Sequence, residues 1–224
     1  MLDSIFSYNN PDSFVNSLRK NRFRQIEAVI NGLIEKKGTI RILDLGGNMS
    51  YWEKMNWKNT ATHISLLNLT QSTIPDESKH LFEAIQADAL NCPFPDFSFD
   101  LVFSNSAIEH MGSLENQKIF AQEVKRLSHN YIIQTPCIWF PLEPHCRIPF
   151  FQFIPHQIRA VLLMIFKINY FPKAKNYHEG IEASKTTIMM GKSRFKSLFP
   201  EAKISTEFLW GMPKSYTATK VAMQ

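Results

Sequence analysis

The chain has 224 residues, 44% of them apolar and 20% charged, and a net charge of +5. That profile fits one large globular domain whose core needs neither disulfides nor a structural metal. Three scattered cysteines (Cys92, Cys137, Cys146) are too few for a zinc site, and their odd number argues against a secreted disulfide framework, so a cytoplasmic protein is expected. The basic residues are spread along the chain rather than gathered into a nucleic-acid patch, and the longest purely apolar run, Ala160–Phe166, is far short of the ~20 residues of a transmembrane segment.

The opening residues, MLDSIFSYNNPDSF, lack the basic start and apolar stretch of a signal peptide. Asn10-Pro11-Asp12-Ser13 reads as a helix start, and Phe14, Leu18, Phe23, Ile26, Ile30 and Leu33 then recur at helical spacing up to Gly38, a C-terminal stop. Arg19, Lys20, Arg22 and Arg24 read as the solvated face of that helix. The period then changes. Ile40–Leu45, His63–Leu69, Phe82–Ala87, Phe99–Ser104 and Tyr131–Thr135 are short apolar runs bounded by turn residues. Helical or crossover segments separate them, the clearest being the one after Ser113, with Phe120, Val124 and Leu127 on one face. Such alternation predicts a doubly wound α/β fold around a mostly parallel sheet, with ligands at the carboxyl ends of its strands. Lys203–Trp210 and Ser215–Ala222 read as a final antiparallel pair joined through Gly211-Met212-Pro213. Between Pro136 and Pro200 lies far more chain than a crossover needs, which reads as an inserted cap. The expected organisation is a single domain over 1–224. It comprises a helical region (1–38), a cofactor-binding core (39–135), a substrate cap between strands 5 and 6 (136–200) and a C-terminal strand pair (201–224).

The chemistry-bearing residues cluster at strand ends. Asp44 closes the first strand and runs into Gly46-Gly47-Asn48, where glycine lets a ligand approach the backbone closely. Asn68-Leu69 ends the second strand, where an amide can reach a ribose diol. Asp88-Ala89 follows the third, where a carboxylate can accept from an exocyclic adenine amine. Asn105 follows the fourth. An acid beside the loop suits a ligand carrying ammonium and sulfonium charges, whereas a pyrophosphate prefers bare N–H groups. The glycines are also not spaced as a dinucleotide fingerprint requires. Plain turns account for some of these positions equally well, Asp88 as a turn acid and Asn68 as a simple strand end.

At these residues the chain resembles the class I S-adenosylmethionine-dependent methyltransferases. The likeness covers Arg41–Thr135, and PFPDFSFDLVFSNSAIEHM (Pro93–Met111) is closest to small-molecule and lipid-type members. QTPCIWFPLEPHCRIPFFQFIP and GMPKSYTA look like a narrower bacterial branch. The resemblance implies a seven-stranded sheet and S-adenosylmethionine as cofactor, enclosed by the loop after the first strand, the end of the second and the acid after the third. Two positions depart from the family: Asn48 stands for a glycine, and Asn68 for an acid. Asparagine tolerates the left-handed backbone that a glycine there would adopt.

Methyl transfer from a sulfonium needs alignment and, for a hydroxyl acceptor, removal of a proton. His110 and His145 are the candidate bases. Glu109, Trp139, Glu143, Tyr170 and Tyr177 are candidate acceptor contacts; no metal-ligand spacing is evident, and no metal is expected. The apolar segment Phe150–Phe171 reads as a buried cap helix, a pocket wall or a membrane-surface contact. Two functions from different classes fit. One is O-methylation of a sugar, polyketide, quinone or lipid-like small molecule. The other is an inactive methyltransferase-fold protein serving as a binding partner or scaffold.

Overall fold

The computed structural model describes residues 14–168, 171 and 173–222. Seven strands form one sheet: β1 (Ile40–Leu45), β2 (Thr62–Asn68), β3 (Phe82–Gln86), β4 (Leu101–Asn105), β5 (Tyr131–Pro136), β6 (Lys203–Leu209) and β7 (Met212–Lys220). Their order is β3-β2-β1-β4-β5-β7-β6. β1 pairs in parallel with both β2 and β4, and β2 with β3, so the order reverses beside β1. That reversal is the switch point at which open α/β sheets bind ligands. β1 and β5 are almost wholly buried, as strands covered on both faces must be.

By contact density the chain divides into two compact units. The first holds residues up to 103 and 126–132. Its helix α1 (Phe14–Lys37) ends where Gly38 turns left-handed at φ 80° and donates its N–H to Ile34 at 2.7 Å, the stop that the glycine announces. Ile26, Ile30 and Leu33 of α1 share a core with Ile40, Ile42 and Ile132. The short helix α2 (Met49–Lys54) adds Trp52, fully buried and edge-on to Phe23, Trp57 and Phe103. The expected helix start at Asn10–Ser13 lies outside the described residues.

The second unit holds residues 104–125 and 133–220. Helix α3 (Leu114–Leu127) spans both units, and its start lies here: Ser113 Oγ accepts the Asn116 N–H at 3.0 Å. Phe120, Val124 and Leu127 of α3 are fully buried, as their spacing predicts. The long stretch after β5 carries α4 (His156–Ile165), α5 (Tyr177–Lys185) and α6 (Lys192–Leu198). It builds its own core from Cys146, Phe151, Leu163, Ile168 and Phe171. The apolar segment 150–171 divides its roles. Phe151, Ala160 and Leu163 are buried, whereas Phe150, Ile158, Ile165 and Phe166 are exposed. No helix among the described residues is long and apolar enough to cross a membrane.

Three local expectations need correction. β4 starts at Leu101, not Phe99: the Phe99 N–H goes to the Leu127 carbonyl at 3.2 Å, and the Asp100 carboxylate accepts the Arg41 N–H at 2.8 Å and the Lys37 ammonium at 2.6 Å. The last hairpin turns at Trp210-Gly211, with φ 51° and 75°, rather than through Met212-Pro213, since a two-residue turn with both angles positive matches strand twist. Pro213 lies within β7, opposite Phe208 at a register shift, where its missing N–H interrupts the ladder least. β7 ends at Lys220, and the Ala222 N–H goes to Asn130 Oδ1 at 2.7 Å.

Candidate functional site

The loop after β1 is held by side chains rather than by glycines alone. Gly46 takes the left-handed turn at φ 73° and donates to the Leu67 carbonyl at 2.9 Å. Asn48 is extended at φ −139°, so the left-handed conformation expected there belongs to Gly46. Its amide oxygen caps α2 instead, accepting the Tyr51 N–H at 3.1 Å and the Ser50 hydroxyl at 2.6 Å. Gly47 is needed for a different reason: a Cβ there would overlap the Asp44 carboxylate, which folds back against the loop. The Asn68 amide donates to the Gly47 carbonyl, tying the end of β2 to the same turn. Both departures from the family pattern thus carry structural hydrogen bonds.

Asp44 is buried, and its Oδ2 accepts Trp52 Nε1–H at 2.8 Å. Its Oδ1 is buried with no hydrogen-bond partner among the described residues. Burial pushes the Asp44 pKa up to about 7, with the Trp52 hydrogen bond opposing the shift. An unpaired carboxylate oxygen against a backbone that no side chain can enter fits the ammonium end of S-adenosylmethionine. Asp88 is exposed and opens a turn, its Oδ1 accepting the Leu90 N–H at 2.8 Å; Ala89 beside it is buried. Leu69 lies just past β2 and is 70% exposed. Asn105 is the last residue of β4.

In the second unit, four chemistry-bearing residues predicted from separate motifs come together. Glu143 Oε1 accepts His145 Nδ1–H at 2.6 Å, and its Oε2 accepts the N–H groups of His145 at 2.7 Å and Cys146 at 2.6 Å. His145 Nε2 then meets His110 Nε2 at 3.1 Å, the two rings standing edge-on. With Nδ1–H committed to Glu143, His145 directs an imidazole lone pair at its neighbour, so the space between the two Nε2 atoms can take up one proton. Burial and the His145 charge push the His110 pKa down to about 4. Glu143 keeps a depressed pKa because, although burial opposes it, the hydrogen bonds from His145 and Cys146 win.

Glu109 sits on the same short turn as His110 and is fully buried. Its Oε2 accepts the Thr135 hydroxyl at 3.0 Å, while Oε1 has no partner among the described residues. Burial raises its pKa to about 7. Ligand atoms of Glu109, His110 and His145 lie within 4.8 Å of one another, a span that a metal ion could also fill. Trp139 (64% exposed, stacked on Phe153) and Tyr177 (at the start of α5) face solvent, and neither takes part in this cluster. Tyr170 lies outside the described residues. Sequence reasoning missed Trp52 and Thr135, although a buried tryptophan eight residues after an acid is a usable sign, because its N–H needs an acceptor.

Residues 44–130 match a family model described as a methyltransferase domain. No curated protein matches the chain. Among solved structures, the chain is similar to an O-methyltransferase family protein from Burkholderia thailandensis, with 8% identity, a TM-score of 0.49, and 98% of this chain and 62% of that one covered. It is similar to a SAM-dependent methyltransferase from Aquifex aeolicus, with 10% identity, a TM-score of 0.42, and 85% and 88% covered. It is also similar to the N-methyltransferase NodS from Bradyrhizobium japonicum WM9, with 9% identity, a TM-score of 0.45, and 90% and 95% covered. The methyltransferase-domain match over residues 44–130 takes in the whole strand-end constellation from Asp44 to Asn105, and it supports a methyltransferase whose cofactor is S-adenosylmethionine.

Proposed function

We propose that this enzyme methylates a hydroxyl group of a small-molecule acceptor in the cytoplasm, with His145 and His110 together receiving the acceptor's proton. The observation that carries this reading is the chain from Glu143 through His145 to His110, which ends in two facing ring nitrogens. When bound, S-adenosylmethionine supplies a methyl group already activated by its sulfonium. The residues suited to hold it are Asp44 through Oδ1, the Gly46-Gly47 backbone, the Asn68 amide oxygen for a ribose hydroxyl, and the second Asp88 oxygen for an exocyclic amine. Three buried cysteines, none in a disulfide, are in keeping with a reducing compartment.

O-methylation releases one proton as the methyl–oxygen bond forms. That proton lodges on the Nε2 of the histidine pair, and the resulting imidazolium is stabilised through Nδ1–H by the Glu143 carboxylate. Glu143 is therefore a positioning residue: it fixes the His145 tautomer and compensates its charge without reaching the acceptor.

The test uses the full-length enzyme with phenol, sugar and quinol acceptors, reading S-adenosylhomocysteine release and, by calorimetry, S-adenosylhomocysteine affinity. His145→Gln is expected to lower kcat by ~10²–10⁴-fold, the usual worth of a general base, with affinity unchanged. Asp88→Ala is expected to weaken S-adenosylhomocysteine binding at least about tenfold, the loss of a hydrogen bond to a charged group. Undiminished turnover in His145→Gln overturns the base assignment. Activity lost to a chelator and restored by a divalent ion would replace it with a metal centre at Glu109, His110 and His145.

A further inference from the structure

The second unit carries a partly open cavity of about 170 Å³ whose apolar walls include Phe151, Phe171 and Met189. Of the polar residues that also line it, three keep a buried atom with no partner among the described residues: Arg159 Nε, Gln152 Oε1 and Thr187 Oγ1. Buried polar atoms are nearly always hydrogen-bonded, so three unspent atoms around one cavity offer hydrogen bonds to whatever occupies it.

Their orientations are held from outside the cavity. Gln152 Nε2 donates to the carbonyls of Ile138 at 3.1 Å and Phe140 at 2.7 Å, which leaves its Oε1 as the unspent atom. Arg159 is 8% exposed, and its Nη2 donates to the His156 ring at 3.1 Å. The His156 ring is in turn 2.9 Å from the Ser184 hydroxyl. Among the described residues no carboxylate lies in salt-bridge contact with Arg159; the Glu143 carboxylate on the same cavity acts on the guanidinium through space without pairing with it. Glu143 also lines the cavity, but both of its oxygens are already committed to His145 and Cys146.

We propose that this cavity is the acceptor pocket and that it selects a small hydroxylated carboxylic acid. The acid's carboxylate accepts from Arg159 and Thr187, and a hydroxyl or ring-borne donor reaches Gln152 Oε1. The volume suits a ring-sized molecule, and would otherwise hold about five or six waters at ~30 Å³ each. Apolar walls with a few convergent polar groups are the usual makeup of a small-molecule site. Glu143 connects the pocket to the chemistry, since the carboxylate on the cavity wall is the one that orients His145. The inference rests on the methyl-transfer reading for its link to catalysis, but not for its ligand.

The test is calorimetric titration of the full-length protein with 4-hydroxybenzoate and with its neutral isostere 4-hydroxybenzamide, alongside S-adenosylhomocysteine. A charge-assisted contact to a buried guanidinium is expected to favour the acid over the amide by ~10–100-fold. Arg159→Gln is expected to abolish that preference while leaving S-adenosylhomocysteine affinity unchanged. Thr187→Val, a milder change that leaves the buried cation in place, is expected to reduce the preference severalfold. Equal binding of acid and amide by the wild type, or a preference that survives Arg159→Gln, overturns the pocket and leaves the cavity to water. An acid preference without S-adenosylhomocysteine binding overturns the methyl-transfer reading and leaves the pocket standing.

Discussion

Gly47 in the loop after β1 and Gly180 in α5 both occupy positions with no room for a side chain, yet the obstacles differ. At Gly47 the obstacle is a functional group, the Asp44 carboxylate turned in against the loop. At Gly180 it is scaffold: a Cβ would stand 2.7 Å from the Ala160 carbonyl oxygen where α5 crosses α4. One glycine keeps a carboxylate close to the loop backbone that we propose holds the cofactor, and the other lets two helices pack. The same residue type therefore serves the proposed cofactor site in the first unit and helix packing in the second, and only its neighbours distinguish the two.

Substitution at each glycine sharpens that contrast. Gly47→Ala drives a methyl group into the Asp44 carboxylate and displaces it, so S-adenosylhomocysteine affinity is expected to fall by ~10²-fold or more, as for loss of a charged hydrogen-bonding group and its cradle, with a smaller effect on melting. Equal loss of stability and affinity would break the distinction. Gly180→Ala is expected to show the reverse, a destabilisation of ~1–3 kcal/mol from overpacking with S-adenosylhomocysteine affinity preserved, read by denaturant unfolding and calorimetry. The smallest effect concerns pH. With its folded pKa raised to about 7, well above the ordinary aspartate range, Asp44 keeps its proton in the native state where the unfolded chain has lost it. Its contribution to stability is therefore full below about pH 4 and disappears as pH climbs through about 7. The wild-type melting temperature should accordingly drop more between pH 5 and pH 8, about the span of this titration, than that of Asp44→Asn. S-adenosylhomocysteine binding, which places an ammonium near the ionised form, should strengthen over the same interval. Parallel pH profiles for the two proteins would show that Asp44 does not titrate there.

Much of this was legible in the residues. The β1 run ending Asp44-Leu45-Gly46-Gly47, the parallel β1–β4 array and the late hairpin follow from period, turn chemistry and breaker positions, which are local properties. The turn itself was misplaced by two residues, because Trp210 gives no sign of the positive φ that it adopts. Asn48 and Asn68 read as departures from a family pattern, and their structural bonds to Tyr51 and Gly47 emerge only when strand ends are brought side by side.

The second unit was harder to read for a reason that applies generally. His110 and His145 are separated by thirty-five positions, and no periodicity links one short turn to a loop that far along the chain. Arg159 stands among apolar residues of its helix, and nothing local distinguishes a cation facing a cavity from one facing solvent. The sequence by itself determined the run of core strands, the parallel core and the methyltransferase likeness of the strand-end loop, because backbone propensity and hydrophobic period act over a few residues. Tertiary structure alone decided which imidazoles face each other, which carboxylate is buried and which polar atoms go unsatisfied, because hydrogen bonding and desolvation depend on what long-range folding places next to each group.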